Sequence, residues 1–137
     1  MTLFWRLAPW LTRLLLLAAA ALFFLVALKY LRAPVENAGA DAIILGSVMA
    51  ISRVRVAFGA FPLSLSLVLL GSLVSRKRAF GLTVLATTVA VVTAVRLAGI
   101  VLDGPAEEAI KLLRVEAILL ALSVVAIFLE RARPAGR

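Results

Sequence analysis

The chain of 137 residues contains no cysteine and no histidine. The lack of cysteine excludes disulfides, thiol catalysis and cysteine metal sites. The lack of histidine removes the usual haem and zinc ligand and the usual proton shuttle near neutral pH. The sequence also shows no P-loop, no Gly-x-Ser-x-Gly element and no dinucleotide fingerprint. With no nucleophile–base pair or metal-ligand set visible, we expect neither an enzyme nor a bound cofactor.

Apolar residues dominate the composition. They make up 64% of the chain, against roughly 45–50% in soluble domains. They occur in runs too long for a soluble core, so the sequence predicts one all-α membrane domain, a bundle of four transmembrane helices. The predicted spans are residues 12–31, 54–74, 79–102 and 106–129.

Two tryptophans and two arginines lie before or at the start of the first span, namely Trp5, Arg6, Trp10 and Arg13. Such residues are typical of an anchor at the membrane interface. The same stretch has some features of a signal peptide. We expect an uncleaved span, because the apolar run is at the upper length limit for a signal and no clear cleavage site follows it.

The segment between the first two spans, residues 33–53, is mixed in character. Its first part predicts a loop, from Pro34, Glu36, Asn37, Gly39 and Asp41. Residues 42–51 are apolar but too few to cross a bilayer. They form either an interfacial or re-entrant helix, or an early start of the second span.

The second span contains Pro62, which predicts a kink. Ser64 and Ser66 lie nearby, where their hydroxyls are expected to satisfy the backbone groups that the proline leaves free.

The basic residues predict how the chain is threaded. One set flanks the first span, forms the hairpin at 76–78 and ends the chain, namely Arg6, Arg13, Arg76, Lys77, Arg78, Arg131, Arg133 and Arg137. A smaller set lies at the other ends of the spans. The excess predicts that both termini are cytoplasmic. A net charge of +8 at span ends favours anionic membrane lipids as partners and argues against nucleic acid.

Four ionisable residues within or beside apolar runs form the candidate site, Arg55, Arg96, Asp103 and Glu116. Charges in hydrocarbon are costly and are functional or structural hypotheses by default. Glu116 lies about 15 Å beyond Ala106, near the middle of the bilayer, where its short side chain cannot reach the surface. Arg96 lies about 10 Å before Asp103. It either snorkels to the outer surface or faces the bundle and pairs with an acid, for which Glu116 is the candidate.

Arg55 begins the second span and is predicted at the outer interface, near Asp103, with snorkelling as the alternative. Two roles are open for Glu116. It either forms a buried pair that fixes helix register, or it serves as a polar group that binds a ligand or a proton. Glu107, Lys111 and Arg114 lie at i, i+4 and i+7 and predict a ladder of surface ion pairs.

Small residues mark the predicted packing faces and one turn. Gly59 permits close helix approach at the start of the second span. The third span carries a stripe of alanines at every fourth position, Ala86, Ala90, Ala94 and Ala98, which predicts a helix-packing face. Asp103, Gly104 and Pro105 predict the turn between the last two spans.

These residues resemble a known family. The segment from Arg55 to Ala60, the run from Arg96 to Pro105 and Glu116 in the last span are similar to the bacterial domain-of-unknown-function family 4345. The resemblance covers about residues 41–129. The chain has Phe58 where the family usually has tyrosine, and Ala60 where the family has a second glycine. The resemblance implies a small four-helix inner-membrane protein of no established activity.

The sequence therefore predicts a non-enzymatic membrane protein that packs against other subunits, or against copies of itself, in a larger membrane complex of respiratory or photosynthetic type. The alternative is a protein that binds or transports a small lipophilic ligand, a lipid or a quinone, near Arg96 and Glu116.

Overall fold

The computed structural model describes residues 2–132, with side chains from residue 9 onward, and within this range the chain is all-α. The elements are α1 (Thr2–Arg32), α2 (Pro34–Ala40), α3 (Val48–Val54), a π-helical segment (Arg55–Ala60), α4 (Phe61–Val74), α5 (Arg78–Asp103) and α6 (Glu107–Arg131). No strand occurs between residues 2 and 132. The predicted fold class is confirmed. Arg133 and Arg137 of the basic tail, and the side chains of Trp5 and Arg6, lie outside the described part.

Within the described residues, four stretches of helix are long and apolar enough to cross a membrane. They are Pro9–Arg32, Val48–Val74, Arg78–Asp103 and Glu107–Arg131. The shortest has 24 residues and at 1.5 Å per residue spans about 36 Å, more than the roughly 30 Å hydrocarbon core. The first, third and fourth agree with the predicted spans to within a few residues.

The second span begins earlier than predicted. The helix starts at Val48, after Ser47 caps it by accepting a hydrogen bond from the Ala50 N–H at 3.2 Å, and continues to Val74. Residues 48–51 therefore extend the second span and do not form a separate re-entrant helix.

The backbone widens into a π-helix just before Pro62, where the sequence predicts a kink. Proline has no N–H to donate to the preceding turn, so the hydrogen-bond register changes there. The Phe61 N–H accordingly bonds five residues back, to the Val56 carbonyl. The predicted role of the two serines at the kink is wrong. Ser64 donates to the Ala60 carbonyl at 2.9 Å, whereas the carbonyl that Pro62 leaves free lies four or five residues before the proline. Ser66 donates to the Ala20 carbonyl of α1 at 2.8 Å.

The predicted loop after the first span is wrong in its first part, because Pro34–Ala40 is helical. Pro34 occupies the first turn, where a missing N–H has no cost. Asn37 donates to the Lys29 carbonyl at 2.9 Å and the Ala33 carbonyl at 2.7 Å, which ties α2 to the end of α1.

The chain divides into two compact units. One consists of Leu17–Gly71. In it the buried Tyr30 stacks on Phe58 with ring centroids 5.0 Å apart, and its hydroxyl donates to Asp41. Gly59 is buried so closely against Leu31 that an added Cβ would lie 2.7 Å from Leu31 Cδ2. The predicted packing role of Gly59 is therefore supported within this unit.

The other unit consists of the residues up to Leu16 together with those from Ser72 onward. Its main feature is the hairpin of α5 and α6. The fully buried apolar side chains of this unit include Leu16, Leu82 and Leu85. Gly81 lies directly against Ser72, where an added Cβ would be 2.8 Å from the serine Cβ. Gly104 has a φ of +100°, so the turn between the helices uses a conformation that favours glycine.

Candidate functional site

The structure pairs Arg96 of α5 with Glu116 of α6. The Arg96 Nε donates to both carboxylate oxygens at 3.0 Å, and Nη2 donates to Oε1 at 2.7 Å. The two side chains are 27% and 15% exposed. The pairing predicted from the sequence is confirmed, and the guanidinium is held against the facing helix.

Both charges lie well inside their helices. Arg96 is seven residues before the end of α5, and Glu116 is nine residues after the start of α6. At 1.5 Å per residue these positions are about 10 Å and 14 Å from the turn. An isolated charge at such a depth is costly, and pairing makes the combination neutral. The pair therefore removes two uncompensated charges and fixes how the two helices align.

A second ion pair closes the other end of the hairpin. Arg78 Nη1 lies 3.9 Å from Glu130 Oε1, with side chains 12% and 17% exposed. This contact was not predicted, because Arg78 begins α5 and Glu130 is one residue from the end of α6, and charges at span ends can be met by water. The signal was available in the antiparallel alignment, which places the start of α5 beside the end of α6. The two pairs together define an antiparallel hairpin.

An open depression lies beside the Arg96–Glu116 pair. It has a volume of about 270 Å³ and is lined by Val91, Val92, Val95 and Arg96. The three valines are exposed, at 57%, 42% and 67% respectively. Arg96 thus lies at the edge of an otherwise apolar surface of α5.

The other two candidate residues do not join this pair in the described structure. Asp103 is exposed at the turn and makes no ion pair with any described side chain. Its Oδ2 lies back over Gly99, 3.9 Å from where a Cβ would be. Arg55 belongs to the other unit, where it begins the π-helical segment, is exposed and has no ion pair among residues 9–132.

The alanine stripe of α5 is buried only in its first part. Ala86 is buried and Ala90 is half-buried, whereas Ala94 and Ala98 are exposed. A helix turns about 100° per residue, so a step of four residues drifts about 40° around the axis. Over the three steps from Ala86 to Ala98 the drift is about 120°, which carries the last two alanines off the buried face. Within the chain, the predicted packing face is therefore covered at Ala86 and partly at Ala90, but not at Ala94 and Ala98.

Two further polar features of the hairpin are an exposed ion pair and a buried hydroxyl. Lys111 pairs with Glu107 at 2.7 Å, as the i, i+4 spacing predicted, but the side chains are 66% and 83% exposed. The Thr93 hydroxyl, one turn before Arg96, is buried and has no hydrogen-bond partner in the described part of the chain. The acidic residues there form no group of three or more that suits a metal ion.

Comparison with models of known families, with curated proteins and with solved structures finds no match.

Proposed function

We propose that this protein is a small, non-enzymatic, multi-pass protein of the bacterial inner membrane that packs as an accessory subunit against other membrane proteins or against copies of itself. Both termini lie in the cytoplasm. Its membership in the domain-of-unknown-function family 4345 is part of the proposal and rests on the residues around Arg55, on the run from Arg96 to Pro105 and on Glu116.

The observation that carries the proposal is the exposed half of the alanine stripe. Ala94 and Ala98 are exposed although they lie on a helix long enough to cross the membrane. Small residues let two helices approach closely, and membrane helices associate mainly through such contacts. Large apolar side chains flank them, since Val95 is 67% and Val101 82% exposed. This surface suits a helix of another subunit better than it suits lipid alone.

The test is recovery of the protein from native membranes in a mild detergent. The wild-type chain should be recovered in stoichiometric amounts with a defined larger complex or as a defined oligomer. Ala94→Leu should weaken this association while the chain itself stays folded, because position 94 is exposed within the chain. The control is Val92→Leu, which enlarges a side chain that is 42% exposed but points about 160° away from Ala94 around the helix axis. Recovery of the wild type as a monomer without partners, unaffected by Ala94→Leu, would contradict the proposal.

The orientation has its own test. A reporter fused after Arg137 should be active if it works in the cytoplasm and inactive if it requires export, because the basic hairpin at 76–78 favours the cytoplasmic side. The reverse pattern would invert the topology and place the Arg96–Glu116 pair nearer the cytoplasmic surface.

A second candidate function is the binding or transport of a small lipophilic ligand, such as a lipid or a quinone. The open depression beside Arg96 favours it, because apolar concavities with one or a few polar groups are typical of ligand sites. A ligand retained by the purified protein, identified by mass spectrometry, would support this function. Its absence from protein purified in a mild detergent would count against it.

A further inference from the structure

The guanidinium of Arg96 has hydrogen-bonding capacity that Glu116 does not use. Arginine carries five N–H donors. The contacts with Glu116 engage Nε and one N–H of Nη2, so three donors remain, and Nη1 has no partner among residues 9–132. About 10 Å inside the helix end, these donors have few alternatives to a bound acceptor, because an unsatisfied donor in hydrocarbon is costly.

Charge decides which acceptor fits. Glu116 already neutralises Arg96, so the site has no net charge to offer. An anionic ligand would add an uncompensated negative charge next to the Glu116 carboxylate, in a medium where such charges are expensive. A neutral carbonyl oxygen accepts from an N–H without that cost.

The apolar lining of the depression indicates that the remainder of the ligand is apolar. The depression is lined by three valines in addition to Arg96, and its volume of about 270 Å³ is open on the outside. An opening of this kind admits an alkyl or isoprenoid chain that extends into the surrounding membrane. Burial of such a chain contributes through apolar contact, at about 0.8 kcal/mol per CH₂ removed from water.

We propose that the depression binds an uncharged lipophilic molecule whose carbonyl oxygen accepts a hydrogen bond from the free edge of Arg96, and that Glu116 excludes anionic lipids from the same place. This inference rests on the second candidate function and adds the charge class of its ligand. The packing function does not depend on it.

The experiment compares two probes with the same chain, methyl oleate and oleate, on the purified full-length protein at pH 9, where the fatty acid is ionised. Wild-type protein should bind methyl oleate saturably and prefer it over oleate by about tenfold or more, which corresponds to about 1.4 kcal/mol. A ¹³C label in the ester carbonyl should show an infrared band shifted to lower frequency on binding. Val95→Trp, which fills the depression from an exposed position, should abolish binding, and Val101→Trp on the same helix should not.

Glu116→Gln should reverse the preference between the two probes. The glutamine retains the shape and one acceptor but leaves Arg96 with its full charge, so the preference should change to oleate. A wild-type preference for oleate would overturn the inference while leaving ligand binding in place. Lack of saturable binding of either probe would overturn both the inference and the second candidate function. Equal effects of Val95→Trp and Val101→Trp would show that the probes bind elsewhere.

Discussion

Separating Arg96 from Glu116 should destabilise the hairpin by an amount that depends on both residues together. Breaking a buried pair in a soluble protein costs about 3–5 kcal/mol. Polar contacts between membrane helices average about 0.6 kcal/mol and reach about 1.7. With side chains 27% and 15% exposed and three hydrogen-bond contacts, the pair belongs near the upper end of the membrane range. We expect a coupling energy of about 1–2 kcal/mol.

The assay is a double-mutant cycle of Arg96→Ala and Glu116→Ala, measured by reversible unfolding in mixed micelles. Each single variant should lose stability, and the double variant should lose less than the sum. Exchange of the two residues should recover part of the loss. The matched control is Lys111 with Glu107, whose side chains are 66% and 83% exposed. That pair should couple by no more than about 0.5 kcal/mol.

Two results would refute the reasoning. The first is additivity of the single variants to within about 0.3–0.5 kcal/mol, which is the behaviour of independent sites. The second is a coupling energy for Lys111 and Glu107 as large as that for Arg96 and Glu116. Either result would mean that the depth of the inner pair in the helices adds nothing to its strength.

Two glycines in the unit that contains the α5–α6 hairpin should resist substitution for different reasons. Gly81→Ala should lower the free energy of unfolding by about 1–3 kcal/mol, since its Cβ would overlap Ser72. Gly71→Ala, with nothing within 4 Å, should be neutral or stabilising, and equal unfolding midpoints for the two variants would contradict the close contact. Gly104→Ala should lower the free energy of unfolding by about 1–3 kcal/mol through backbone strain at φ +100°. Gly46→Ala, which is neither crowded nor at positive φ, should not, and a tolerated Gly104→Ala would exclude that strain.

The four spans could be predicted because a bilayer demands about 20 consecutive apolar residues, and few other structures need such runs. The connection between the first and second spans was less predictable. Helix α2 contains proline, asparagine and glycine, which indicate a loop when considered alone. Its stability comes from contacts that the local sequence does not reveal, such as the bond from Asn37 to the end of α1 and the bond from Tyr30 to Asp41.

The π-helical segment shows the same limit. Pro62 predicts that the second span is irregular, but not how. The widened turn is the one in which Phe58 stacks on Tyr30 and Gly59 packs on Leu31. These partners on α1 are about 30 residues away in sequence, so the local sequence around Pro62 does not reveal them.

For the candidate site, depth was the useful signal. Arg96 and Glu116 could be paired from sequence because neither reaches water easily and both lie on helices joined by a short turn. Arg78 and Glu130 lie at helix ends, where water is an adequate partner for a charge. Their positions in the sequence therefore do not indicate that either needs an ion-pair partner. The sequence therefore identifies the pairs that the membrane makes necessary and misses those that only the packing brings together.

The same helical geometry separates the two surfaces of α5. Leu82, Leu85 and Val89 are buried and lie on one face with Arg96, because steps of three, four and seven residues return near the same direction. Ala94 and Ala98 are two residues on either side of Arg96, so each points about 160° away from it. The arginine faces α6 while the exposed alanines face outward. A partner helix can therefore occupy the alanine surface without displacing Glu116, and Ala94→Leu should leave the coupling between Arg96 and Glu116 unchanged.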